Sequence, residues 1–191
     1  MSKVPTQAKK VFQGTIFTIW QWEQELYNGT TKTFEMLSRP DYGTVIGVLP
    51  DKTILLTYDE QPHRQGVLTT AGGRIENGES PEEGARREFL EETGYTIGTL
   101  LPYFAYSPSE KSHYTVHMYI GRNLTKTHEP MLDPGERVEI KTFSFEDFLQ
   151  LGNSSSTAIG GPVRDWMLRI TLLEAQVDKS KRQALYNLLY E

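Results

Sequence analysis

Seven carboxylates fall within the twenty-three residues from Gly73 to Tyr95, GRIENGESPEEGARREFLEETGY. Read as loop then helix, the stretch puts Glu88 and Glu92 one turn apart, with Glu91 beside them. Residues three and four apart share a helix face, and like charges there cost a few tenths of a kcal/mol per pair. A chain that keeps such a cluster has something positive in front of it. Hard divalent cations with oxygen ligands fit, and Mg²⁺ takes a few carboxylates together with substrate phosphates. The helix is locally well specified: Ser80 serves as N-cap, Pro81 as the first helical residue, and Glu83 completes a capping box. Glu82 and Glu83 suit the positive end of the helix dipole. Ala85 and Phe89 form a separate core face, and Gly94 is placed to end the helix.

At these residues the chain resembles the Nudix hydrolase family. The family's box, G-x5-E-x7-R-E-U-x-E-E-x-G-U with U a bulky apolar residue, is matched by Gly73, Glu79, Arg87, Glu88, Phe89, Glu91, Glu92, Gly94 and Tyr95. Tyr95 departs in being aromatic rather than aliphatic. Fixed spacing over so many positions is far more specific than a lone glycine-rich loop. The alternative, a solvated acidic helix, leaves the clustering unexplained.

The resemblance implies Mg²⁺, with Mn²⁺ as a substitute. It makes Glu88, Glu91, Glu92 and the carbonyl of Gly72 the metal ligands, and Glu79 with Arg87 a structural pair. Glu91 and Glu92 are also expected to be catalytic. The base that activates water varies in the family, being either a glutamate of the box or on a later loop; on the later loop the candidate is Glu136, in PGERVEIKTFSFEDF, with Glu139 as rival.

Further segments resemble the ADP-ribose and nucleoside-diphosphate-sugar pyrophosphatase branch. In FEMLSRP, Arg39 would meet the substrate. DEQPHR resembles a Glu-Gln-x-Arg motif with one residue inserted, so Arg64 or His63 takes that role. AYSPSEKSH resembles a Ser-Pro-Gly loop with an acid, here Glu110, but lacks the glycine. Thr69 and Ala71 stand where that branch usually has Glu and Pro. The implied reaction is hydrolysis of a diphosphate linkage to a nucleoside monophosphate and a sugar phosphate. A nucleotide-sensing module without turnover and a nucleoside triphosphate or oxidised-nucleotide hydrolase are the alternatives.

The length of 191 residues suits one domain with an added element. Hydrophobic content of 37% against 24% charged residues allows a packed core. No apolar run has the length of a membrane span, and no apolar segment follows the basic start. Without cysteine, thiolate sites are excluded; the cytoplasm is the default expectation. A net charge of −5 argues against general nucleic-acid binding. A bound metal can still supply positive charge locally for a nucleotide.

The element order predicts an α+β fold with a mixed sheet, which the resemblance makes an α/β/α sandwich. Residues 1–42 read as a tail and β-hairpin turned at Asn28-Gly29, with Val11 to Trp22 as one strand, and as a candidate homodimer element. Residues 43–150 are the Nudix domain and 151–191 are C-terminal helices on the same body. Glu60 to Gly66 reads as a loop, and Pro102 as an interruption of the strand after the box. His113 and His117 share one face of a long strand, as polar residues rather than metal ligands. The Ser/Gly-rich stretch 152–161 reads as mobile, and a helix begins at Pro162 with Val163, Met167, Ile170 and Leu173 as its stripe.

Overall fold

The computed structural model describes residues 4–132, 134–153 and 162–191. Residues 154–161, most of the stretch expected to be mobile, lie outside the described residues.

The N-terminal part is a four-stranded sheet of β1 (Lys9–Gln13), β2 (Thr18–Glu25), β3 (Thr31–Ser38) and the two-residue β9 (Ser112–His113), in that order. The single strand expected over Val11 to Trp22 is therefore two. Its apolar alternation runs on through a turn closed by the Gly14 N–H donating to the Phe17 carbonyl at 2.8 Å, which period-two patterning does not show. The Asn28-Gly29 turn forms as expected. Gly29 takes φ +78°, and the Asn28 side chain accepts from the Thr30 N–H at 3.1 Å.

The main sheet has the path β11 (Arg137–Phe143), β5 (Ile54–Gln61), β4 (Tyr42–Val48), β10 (Val116–Lys126) and β8 (Tyr95–Tyr106). β6 (Arg64–Thr69) pairs with β5, and β7 (Ala71–Arg74) pairs with β4. β10 runs parallel to β4 while its other neighbour, β8, is antiparallel, so the sheet is mixed. Pro102 does not interrupt β8. The strand lies at the sheet edge and bulges there, with Phe104 opposite Met118 and Pro102 opposite Tyr119. The loop expected over Glu60 to Gly66 shrinks to Pro62 and His63, because β5 and β6 form a hairpin. His113 and His117 fall on different strands, β9 and β10.

Successive residues of β4 and β5 point to opposite faces, and both faces are covered. Val45 and Leu55 pack with Ala85 and Phe89 of α1 (Pro81–Thr93). Ile46, Ile54 and Leu56 pack with Phe148, Leu168, Leu172, Leu185 and Leu189 from α2 (Phe145–Gln150), α3 (Trp166–Val177) and α4 (Lys179–Tyr190). The result is the expected α/β/α sandwich. Burying each such large side chain contributes about 1.5–3 kcal/mol, which holds α1 rigidly on the sheet.

α3 corrects the sequence reading in two respects. It starts at Trp166, capped by Asp165, because the N–H groups of Val163 and Arg164 are taken by the carbonyls of Leu151 and Leu68. Its buried face is Leu168, Leu172 and Ala175; Ile170 and Leu173 are 45% and 39% exposed.

Candidate active site

α1 forms as its sequence dictates. The Ser80 hydroxyl accepts from the Glu83 N–H, the Glu83 carboxylate accepts from the Ser80 N–H, and Gly94 ends the helix at φ +73°. The capped helix projects Glu88, Glu91 and Glu92 into a cleft of about 680 Å³. β4 and β5 supply the facing wall, Tyr42, Asp59 and Gln61; Arg39, Ile16, Met131 and Glu136 complete it.

The loop between β7 and α1 is locked by Arg87, whose Nε and Nη2 meet Glu79 at 2.7 and 3.0 Å and whose Nη2 also meets the Arg74 carbonyl at 2.9 Å. The Arg87 guanidinium and the Glu76 N–H hold the Glu79 carboxyl down at about 2. The structural pair expected from the resemblance is therefore formed. Nη1 of Arg87 reaches on to Glu88 at 2.9 Å and Glu91 at 3.2 Å.

Two glycines of β7 are in close approach, Gly72 to backbone that cannot yield and Gly73 to a side chain. A Cβ on Gly73 would lie 2.1 Å from the Glu88 carboxyl carbon, and one on Gly72 would lie 2.2 Å from the Gly43 carbonyl oxygen. The Gly72 N–H donates to Glu92 at 3.0 Å, and the Gly72 carbonyl accepts a short hydrogen bond from the Tyr42 hydroxyl.

Burial raises the carboxyl of Glu92 well above the ordinary range. The Gly72 N–H opposes this; Glu88, Glu136 and Asp59 add to it. Burial likewise raises Glu88, with Arg87 opposing and Glu91 and Glu136 adding. The Tyr42 phenol is pushed up by burial and then by Glu92 and Glu88, so it keeps its proton and donates. These are acids crowded without a counter-charge sufficient for all of them.

The donor set suits a hard cation: three carboxylates and a backbone carbonyl, all oxygen. Among the described residues no three His, Asp or Glu side chains converge as a ready-made cage; Glu88 and Glu91 lean to Arg87, and Glu92 to the Gly72 N–H.

The remaining expected residues divide. Arg39 lines the cleft, its guanidinium 5.1–5.9 Å from the ring centres of Tyr114, Phe17 and Tyr42, with its Nε buried and without a hydrogen-bond partner. Glu136 lines the cleft, whereas its rival Glu139 is exposed and paired with Lys141. Arg64 is not brought to the cleft: its Nη2 bonds the Asp59 carboxylate at 2.5 Å and its Nη1 the Asp59 carbonyl at 3.2 Å. Glu110 sits exposed in the turn between β8 and β9 and does not line it either. His117 lies 3.5 Å from Asp41, away from the acids of α1 in the lining. Tyr42, Asp59 and Gln61 were not singled out individually in the sequence. Gln61 and Asp59 fall in or beside the DEQPHR string, but only the β5–β6 hairpin shows which of its side chains face the cleft.

A mixed sheet carrying one capped, acidic helix over an acid-lined cleft is the fold and site that the box implied. The chain matches the NUDIX domain over residues 40–159 and belongs to that family. It is a Nudix hydrolase, and hydrolases of this family generally use divalent metals. It is 30% identical over 149 residues to an ADP-ribose pyrophosphatase of Bacillus subtilis (strain 168), covering 76% of this chain and 80% of that protein. It is 28% identical over 148 residues to a methanol dehydrogenase activator of Bacillus methanolicus, covering 75% and 80%. A crystal structure of an ADP compounds hydrolase superimposes with a TM-score of 0.69 at 18% identity, over 93% of this chain and 95% of that one, which establishes the common fold.

Proposed function

We propose that the chain hydrolyses the diphosphate linkage of ADP-ribose or a related nucleoside-diphosphate sugar, giving a nucleoside monophosphate and a sugar phosphate. The observation that carries this reading is the juxtaposition of three box carboxylates with Arg39 across one cleft. Likeness to the Bacillus subtilis ADP-ribose pyrophosphatase over most of both chains supports the substrate class.

Glu88, Glu91, Glu92 and the Gly72 carbonyl would hold Mg²⁺ or Mn²⁺. Such an ion screens the diphosphate and lowers the pKa of water. Arg39 offers an unpaired N–H to a phosphate oxygen, and three rings keep its guanidinium in place. Glu136 takes the proton of the attacking water as the water oxygen bonds to phosphorus and the bridging P–O bond breaks. Arg87 stays with Glu79 and positions the helix rather than the substrate. Arg64 serves by fixing Asp59 in the cleft wall.

The test is a substrate panel with Mg²⁺ or Mn²⁺: ADP-ribose, nucleoside-diphosphate sugars, dinucleoside polyphosphates and nucleoside triphosphates, followed by ³¹P NMR. ADP-ribose or a sugar nucleotide should turn over fastest. Preference for triphosphates would move the chain to another substrate class, and nucleotide binding without product would make it a sensor. The likeness to an oxidised purine nucleoside triphosphate hydrolase of Mus musculus, 37% over 57 residues, covers only 30% of this chain and gives the triphosphate reading little weight.

A further inference from the structure

We propose that Tyr42 is a positioning residue that ties the cation-binding acids to the phosphate-binding arginine; this rests on the metal-dependent reading above. Its ring and its hydroxyl have different partners. The hydroxyl donates to the Gly72 carbonyl, and the N–H of the same glycine fixes the Glu92 carboxylate at 3.0 Å. The ring face lies 5.9 Å from the Arg39 guanidinium. One side chain thus meets both Gly72 of β7, whose N–H holds Glu92, and the Arg39 guanidinium that lines the same cleft.

The backbone makes this placement firm. Tyr42 is the first residue of β4, where it pairs with Arg74 of β7 on one side and Val116 of β10 on the other. Its N–H is bonded to the Thr115 carbonyl at 2.9 Å. Gly72 is paired with Thr44 in the β4–β7 ladder, so closely that a Cβ on it would lie 2.2 Å from the Gly43 carbonyl oxygen and 2.6 Å from the Thr44 Cα. A carbonyl oxygen has two lone pairs. Tyr42 takes one and leaves the other for a cation. Groups that orient a ligating atom in this way typically affect metal affinity about 10–100-fold when removed.

The ring and hydroxyl can be separated by substitution. Tyr42→Phe removes only the hydroxyl, and Tyr42→Leu removes both. Mn²⁺ affinity is measured by electron paramagnetic resonance on the intact protein without substrate. ADP-ribose affinity is measured by calorimetry in EDTA, where metal-dependent turnover is off. Thermal melts check folding.

The expected result is Mn²⁺ binding weakened by about tenfold in both variants, with ADP-ribose binding in EDTA unchanged in Tyr42→Phe and weakened in Tyr42→Leu. Unchanged Mn²⁺ affinity in Tyr42→Phe with a lower melting temperature makes the hydroxyl a mere structural tie and overturns the proposal. Tighter Mn²⁺ binding also overturns it, by showing that the hydroxyl competes for the carbonyl. If the unsubstituted protein binds no Mn²⁺, the metal-dependent reading itself fails and the assignment of Tyr42 falls with it.

Discussion

Arg87 grips Glu79 with two nitrogens, Nε at 2.7 Å and Nη2 at 3.0 Å, across the turn that leads into α1. Both side chains are less than a third exposed, so the pair is stronger than an ordinary surface ion pair. Glu79→Gln should cost about 1–2 kcal/mol of stability at neutral pH. The folded-state carboxyl titrates at about 2 rather than at the ordinary 4.5. A depressed carboxyl stabilises the fold above its unfolded pKa, and that contribution drains away as pH falls from 4.5 through about 2. Urea melts from pH 7 to pH 2 should show wild type and variant converging over that window. Parallel curves would mean the pair contributes nothing through its charge.

A Cβ on Gly73 would lie 2.1 Å from the Glu88 carboxyl carbon, so any side chain there displaces that carboxylate. Gly73→Ala should leave the fold near intact, because the flexible carboxylate can move aside. It should lower turnover by about 10²-fold through that displacement of about an ångström. Steady-state kinetics with excess Mg²⁺, beside a circular dichroism melt, separate the two effects. Activity within a factor of about two would show that Glu88 needs no fixed position.

Burial, ahead of its acidic neighbours, raises the Glu92 carboxyl well above the ordinary range. A buried, uncompensated charge destabilises the protein that carries it. Glu92→Gln should therefore melt at or above wild type in EDTA, yet turn over at least about 10²-fold more slowly with Mg²⁺. Adding Mg²⁺ should raise the melting temperature of wild type more than that of the variant, since only binding to the folded state stabilises. Equal shifts in both proteins would remove Glu92 from the cation site.

Of the two candidate bases outside the box, Glu136 lines the cleft and Glu139 pairs with Lys141 at the surface. Glu136→Gln should lower kcat by about 10²–10⁴-fold with little change in KM, while Glu139→Gln stays within about twofold. The reverse order would put the base on the other face of β11.

What the sequence discloses and what it hides follow from the range of each interaction. The cap of α1 is written within four residues, Ser80 to Glu83, and its end at Gly94 needs only one glycine; both form as read. The pairing of Glu79 with Arg87 lies eight residues apart and comes with the box. Tyr42 meets Gly72 thirty residues on, and nothing local marks that contact. The turn at Gly14 to Phe17 is masked because apolar alternation continues through it. The start of α3 is set by Leu151 and Leu68, which claim the preceding N–H groups from elsewhere in the fold. Arg64 lines up with a substrate-binding motif, yet its guanidinium is taken by the Asp59 carboxylate of the cleft wall.

The N-terminal sheet leaves Val11, Phe12, Phe17 and Phe34 between 42% and 58% exposed. Large apolar side chains grouped on one small sheet mark an interaction surface more often than single exposed ones do. A homodimer through this segment, as we propose, would draw on apolar side chains of both faces: Phe34 lies beside Trp22 at 6.1 Å between ring centres on one, and Phe12 stands opposite Ile19 on the other. Light scattering after gel filtration should give twice the mass of one chain. Phe12→Glu combined with Phe34→Glu should shift the protein toward half that mass, because a buried carboxylate in a two-fold contact meets its own copy nearby and costs several kcal/mol. Since α1 packs on the main sheet through Ala85 and Phe89, the double variant should keep its Mn²⁺ affinity. A monomeric wild type would leave the N-terminal sheet as a cover for Arg39 alone, through Phe17.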